Sequence, residues 1–176
     1  MEADILCRTL GEMATYDFVT RWRVEAPIHL VFDTIADSAR WPSWWRGVRS
    51  AQLLERGDES GLGATYRFDF RSALPYSMVF DMRVTEIDRP RSLVGESSGE
   101  LIGIGRWTLT PDGPDRTLLR YDWHVRPAAW WMNALAPVAR RVFTWNHDVI
   151  MDWGREGLAS VLGVAVQDEE GVAPPR

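Results

Sequence analysis

Three histidines occur in the chain, and their contexts separate them. His29 stands four residues before Asp33, off the apolar stripe of its segment, and His124 falls on the polar row of an alternating stretch. His147 alone lies on the apolar side of a long periodic segment. An imidazole titrates near neutrality and can serve as a general acid or base. The competing reading is a core histidine bonded to a backbone carbonyl or a strand side chain. Its neighbour Asn146 either orients a ligand carbonyl or hydroxyl, or satisfies a polar group of a facing strand. Tyr66 and Tyr121, on inward strand rows, are weaker candidates as hydroxyl donors beside His147. No Cys/His cluster with zinc spacing, HExxH, Walker A or Gly-x-Ser-x-Gly pattern is present, which argues against metal, redox and nucleotide-hydrolysing chemistry. Leu101 to Gly105 is glycine-rich but opens no βαβ unit, so it is not a dinucleotide loop. The expectation is a site without cofactor or metal.

These side chains need elements to position them. Asn133 to Leu162 reads as one long amphipathic helix. At about 100° per residue, Val142, Phe143, Asn146, His147, Ile150, Gly154, Gly157, Leu158 and Val161 share one arc. Arg141, Asp148, Asp152 and Arg155 take the other side. A buried stripe with two polar residues and two glycine gaps suits a helix that walls a cavity. Ahead of it, Tyr16 to Ala26 alternates as a half-buried strand. Pro27 opens a short helix with Ile28, Val31, Phe32 and Ile35 on one stripe, and Asp37 or Ser38 can cap a second short turn. Six further strands then follow, five in hairpin order after the weak strand Val48 to Glu55. Their inward rows are Ala64, Tyr66, Phe68 and Phe70; Met78, Phe80, Met82 and Val84; Leu101 to Leu109; and Leu119, Tyr121, Trp123 and Val125. Hairpin connections dictate an antiparallel sheet with one apolar face, and the single long helix is the element available to cover it.

The totals are compatible with this. A chain of 176 residues fits one domain with room for a core and a pocket. We divide it into an N-terminal extension (1–15), a domain (16–162) and a flexible tail (163–176). Ten tryptophans mean a bulky core or a stacking site. The three in Trp41-Pro-Ser-Trp-Trp either plug one end of the sheet or rim the pocket. Trp130 and Trp131 either cap the core or form a wedge for transient membrane contact. Gly103 and Gly105 either leave room for a ligand or let the sheet bend. A net charge of −5 without a basic run makes nucleic acid an unexpected partner. The single Cys7 and the lack of a leader-like segment suit a cytoplasmic protein. The longest uncharged run, Pro127 to Ala139, is too short to span a bilayer.

Four segments carry a family resemblance: Ala26-Pro-Ile-His-Leu-Val-Phe-Asp with Trp41-Pro-Ser-Trp-Trp, and Gly105-Arg-Trp-Thr-Leu with Thr117-Leu-Leu-Arg-Tyr. A fifth is Phe143-Thr-Trp-Asn-His-Asp-Val-Ile-Met. Over residues 16–162 the chain resembles the START-like, Bet v 1-like (SRPBCC) superfamily, and the last segment its polyketide cyclase/dehydrase-like subgroup. The resemblance implies an α+β helix-grip fold: a seven-stranded antiparallel curved sheet wrapped around a long C-terminal helix, with two short helices between strands 1 and 2. It also implies a deep pocket between sheet and helix for an apolar or aromatic small molecule. The expected strand lining is Tyr66, Phe68, Phe80, Met82, Trp107, Tyr121 and Trp123. The helix would add Phe143, Asn146, His147 and Ile150.

Three functions remain open on these grounds. One is a carrier that sequesters a hydrophobic, polyketide-, lipid- or isoprenoid-like molecule. Another is a cyclase/aromatase-type enzyme using His147 as acid or base, with the cavity restricting the chain's conformers. The third, a partner-binding module, needs an exposed apolar patch that the alternating strands do not display.

Overall fold

A computed structural model describes residues 15–73, 75–128 and 136–169, with side chains from 141 onward in the last span. Strand β1 (Tyr16–Val24) leads into helix α1 (Ile28–Ala36), a single 3-10 turn (Ser38–Arg40) and the short helix α2 (Trp41–Trp44). Strands β2 (Val48–Glu55), β3 (Thr65–Arg71), β4 (Ser77–Asp88), β5 (Ser92–Gly99), β6 (Leu101–Pro111) and β7 (Thr117–Pro127) follow. Helix α3 (Ala136–Leu162) and strand β8 (Val166–Asp168) complete the described chain. The strands form one antiparallel sheet in the order β2-β3-β4-β5-β6-β7-β1-β8. This is the expected α+β helix-grip architecture, with short helices after the first strand and a long C-terminal helix.

The alternation that predicts the strands also decides their faces. Tyr16, Trp22 and Val24 of β1, Phe68 and Phe70 of β3, Phe80 of β4 and Trp107, Leu109, Leu119 and Trp123 of β6 and β7 are buried. The intervening residues pair charges across the outer face, as in Arg67–Asp81 at 2.7 Å and Arg106–Glu86 at 3.2 Å. His124 is exposed and pairs with Asp17 on that outer face, and His29 is exposed on α1. Neither reaches the interior.

Two expectations require correction. The sheet has eight strands rather than seven, because Val166–Asp168, placed by sequence within a flexible tail, pairs with Trp22, Arg23 and Val24. Flanking bonds extend this pairing: Glu25 N–H donates to Ala165 O at 3.0 Å and Glu169 N–H to Arg21 O at 2.9 Å. The physical reason is the free edge of β1, whose backbone groups need partners. Gly163, at φ +67°, sends the chain back toward that edge. Three residues are too few to display a period, and the polar Gln167 and charged Asp168 disguise the strand. The second correction concerns α3, where Val142 and Val161 are 36% and 41% exposed rather than buried. Val142 sits on the flank of the apolar arc, and in the last turn Leu162 and Val164 pack on the core instead. Met151, absent from the expected stripe, is buried.

Candidate functional site

A cavity of about 140 Å³ lies between the inner face of the sheet and α3. The strands supply most of its wall, because their inward rows are aromatic and thioether side chains. Tyr66, Phe68, Phe80, Met82, Trp107, Tyr121 and Trp123 all stand on it, as do Phe143, Asn146, His147 and Ile150 of α3. All eleven residues singled out by sequence are therefore brought together. The wall also contains residues outside that set, notably Phe18 and Tyr16 of β1, and Trp41 and Trp45 of the α2 segment. The β1 pair could have been found from the same alternation that marked the other strands. Trp130 and Trp131 lie outside the described residues.

His147 sits in the first half of α3 with its ring stacked on Phe18, centroids 4.1 Å apart and planes 8° from parallel. Its Nδ1 lies 3.4 Å from Asp148 Oδ1, a long contact to an exposed carboxylate. Its Nε2 is buried and has no hydrogen-bond partner. Burial is the main influence on its proton equilibrium and holds the pKa below the ordinary histidine value, against a smaller opposing pull from Asp148. The imidazole is thus neutral near pH 7, and the reading as a core histidine bonded to a backbone carbonyl does not describe it.

Asn146 behaves in the opposite way. Its Oδ1 accepts from Ser72 Oγ at 2.7 Å and from the Ala73 N–H at 2.8 Å. The backbone donor fixes which end of the amide is oxygen. Asn146 therefore ties the β3–β4 connection to α3, and this was the strand-satisfying alternative. Tyr76, in the same connection, has its phenol pushed up by burial.

Tyr121 stacks on Trp107 at 4.1 Å. Burial alone pushes its phenol far above the ordinary tyrosine value, so it remains an O–H. A Cβ on Gly105 would stand 2.5 Å from the Tyr121 hydroxyl and 2.8 Å from the Trp123 ring, and one on Gly95 2.6 Å from Met82 Sδ. Gly95 and Gly105 pair directly across β5 and β6, so the middle of the inner face is bare and side chains from β4 and β7 lean over it. Gly103 differs: its missing Cβ would meet the His124 carbonyl at 2.0 Å. It allows close backbone approach, whereas Gly105 makes space that neighbouring rings use. Tyr66, on β3, stacks on Phe68 at 6.1 Å, three strands of the sheet away from β7.

The Trp41–Trp45 segment is both plug and wall. Trp41 and Trp45 donate their indole N–H groups to the carbonyls of Ile35 and Ile150, at 3.0 and 2.9 Å. The two glycine gaps of α3 receive this segment. A Cβ on Gly154 would stand 2.6 Å from the Trp45 ring and one on Gly157 1.9 Å from the Trp44 carbonyl. The glycines accordingly seat a plug and do not open the cavity. Among the described residues no group of three or more His, Cys, Asp or Glu is placed to hold a metal ion.

A family model described as polyketide cyclase/dehydrase and lipid transport matches residues 15–161. The chain belongs to that family. Its fold is similar to that of the Zhui aromatase/cyclase from Streptomyces sp. R1128, with a TM-score of 0.68 and 17% identity over 85% of this chain and 94% of that one. A START superfamily protein from Mycobacterium smegmatis aligns with a TM-score of 0.60 and 18% identity, over 83% and 97% of the two chains. The major latex-like protein 151 of Panax ginseng gives 0.63 and 11%, over 83% and 97%. No curated protein sequence matches the chain. Membership of this family supports a role in hydrophobic ligand binding or cyclisation. No helix among the described residues is long and apolar enough to cross a membrane.

Proposed function

We propose that the chain binds a mainly apolar, ring-bearing small molecule between the sheet and α3 and holds it without covalent chemistry. The observation that carries this reading is the wall itself: a cavity of about 140 Å³ lined by aromatic and aliphatic side chains with few polar atoms. Such walls with sparse orienting groups are the usual form of a small-molecule site. Native mass spectrometry beside a denatured control tests the reading. A small molecule released only on denaturation supports it, and a folded protein that takes up no apolar compound from a mixed panel overturns it.

A second reading, a cyclase/aromatase-type enzyme, is favoured by one specific observation. His147 is a neutral imidazole whose buried Nε2 has no hydrogen-bond partner among the described residues. In that reading Nε2 takes a proton from a methylene between two carbonyls, and the resulting enolate carbon attacks a second carbonyl of the same chain. The new alkoxide then takes a proton from Tyr121 or Tyr66 as hydroxyl donor, and the phenolate regains it from the His147 imidazolium. The new hydroxyl leaves with an adjacent C–H proton as water. Turnover of a polyketide analogue by the native protein, abolished in His147→Ala, distinguishes enzyme from carrier. Turnover at an undiminished rate in that variant removes His147 from the chemistry.

A further inference from the structure

We infer that the cavity selects an occupant carrying a neutral hydroxyl donor, a phenol or enol, which bonds to Nε2 of His147. The inference rests on the binding reading above and specifies the chemistry of the ligand. The tautomer supplies the first step. Asp148 stands on the Nδ1 side of the ring, at 3.4 Å. An ionised carboxylate only accepts hydrogen bonds, so the contact is favourable with the proton on Nδ1. Burial disfavours a second proton on the ring, and Nε2 is left as a lone pair.

The second step is that nothing among the described residues meets this lone pair. Nε2 is buried, without a partner, on a residue of the cavity wall. One face of its ring is covered by Phe18. Bulk solvent does not touch the nitrogen. The occupant's donor meets it once the imidazole turns on Phe18 to bring the nitrogen to the cavity surface, and this rotation is part of the inference. A buried acceptor left unmet is costly, and a ligand that meets it regains that cost on binding.

The third step decides the donor. Among the described residues the wall contains no Asp or Glu, so an ammonium would be desolvated without a counter-charge. A carboxylate would present only acceptors to an acceptor. A neutral O–H on a ring satisfies the nitrogen and keeps the rest of the ligand apolar, as the surrounding side chains require.

The test compares naphthol with its methyl ether, which has the same rings and no donor, by calorimetric titration of the full chain and of His147→Phe. The phenylalanine keeps a ring against Phe18 and deletes the nitrogen. Naphthol is expected to bind the native protein about tenfold more tightly than the ether, the scale of one buried hydrogen bond. In His147→Phe that ratio should fall to about one, the ether's own affinity serving as the internal reference for any change in the wall. Nitrogen NMR of the native protein gives a readout independent of any variant: the His147 Nε2 resonance should move from its unbonded position with naphthol and stay with the ether. Equal affinity of the two compounds for the native protein, or an unmoved resonance, overturns the inference and leaves the cavity reading intact. Failure of both compounds and of an apolar dye to bind overturns the cavity reading and the inference with it.

Discussion

The two halves of α3 present the same kind of face to the sheet and use it differently. Phe143, Asn146, His147 and Ile150 look into a cavity, whereas Gly154, Gly157 and Leu158 are packed against the Trp44–Trp45 segment and the core. The difference comes from what stands opposite. Ahead of Ile150 the facing strands carry Gly95 and Gly105 on the inner face, so that Met82, Tyr121 and Trp123 lie flat against the sheet and line the cavity. Beyond it, the chain between α1 and β2 sets Trp44 and Trp45 into the glycine gaps. One helix thus has a hollow end, where His147 Nε2 is left unbonded among the described residues, and a filled end, where shape complementarity supplies stability.

The filled end should be the more sensitive of the two to substitution. Trp45→Ala removes a buried ring and the bond to Ile150 O, and should cost about 4 kcal/mol in urea unfolding. Gly157→Ala places a Cβ 1.9 Å from the Trp44 carbonyl. A backbone carbonyl cannot swing aside as a flexible side chain does, so about 3 kcal/mol is expected. Unfolding midpoints close to native for both variants would show that the plug is not a stability element.

Asn146 connects the two regimes, since it is a polar residue of the hollow end that the protein satisfies internally. Asn146→Leu leaves the Ser72 hydroxyl and the Ala73 N–H without their acceptor, and should cost about 2 kcal/mol. Hydrogen exchange at Ala73 should accelerate as the β3–β4 connection loosens. Unchanged exchange there would mean that other contacts hold the connection.

The elements and the wall were legible because each depends on a local period. Alternation over seven or more residues marks Thr65–Arg71 and Thr117–Pro127, and the helical arc marks Phe143 to Leu158. Where an assignment depends on a partner distant in the chain, local pattern is silent. Gly154 and Gly157 read as gaps, and only the tertiary register reveals that Trp44 and Trp45 occupy them. Asn146 left two roles open because Ser72, 74 residues away, decides between them. Strand β8 eluded the pattern for a similar reason: the cause of its pairing is the unpaired edge of β1, not its own three residues. The stacking of His147 on Phe18 joins β1 to α3 across 129 positions, which no spacing rule reports.

The smallest effect is also the one that isolates the hollow end. His147 has its pKa held below the ordinary value of 6.5, chiefly by burial. Above pH 6.5 the imidazole is neutral in both folded and unfolded chains and contributes no slope. As pH falls below that value the unfolded chain takes up a proton that the folded chain refuses, so the unfolded state binds more protons and stability declines. The decline ends once pH passes the lower, folded pKa, where both forms are protonated. Each tenfold displacement of the proton equilibrium is worth about 1.4 kcal/mol. His147→Phe removes the group, so the native-minus-variant difference in unfolding free energy should be flat above about pH 6.5 and fall against the native protein below it. The shifted carboxylates do not confuse the comparison, because Asp58 and Asp81 are held below 3.8 and are present in both proteins. Gly154→Ala, at the filled end, should lower stability by a similar amount at every pH, since it adds no titrating group. A difference curve for His147→Phe that is flat throughout would place the imidazole in contact with water and dissolve the distinction between the two halves of the helix.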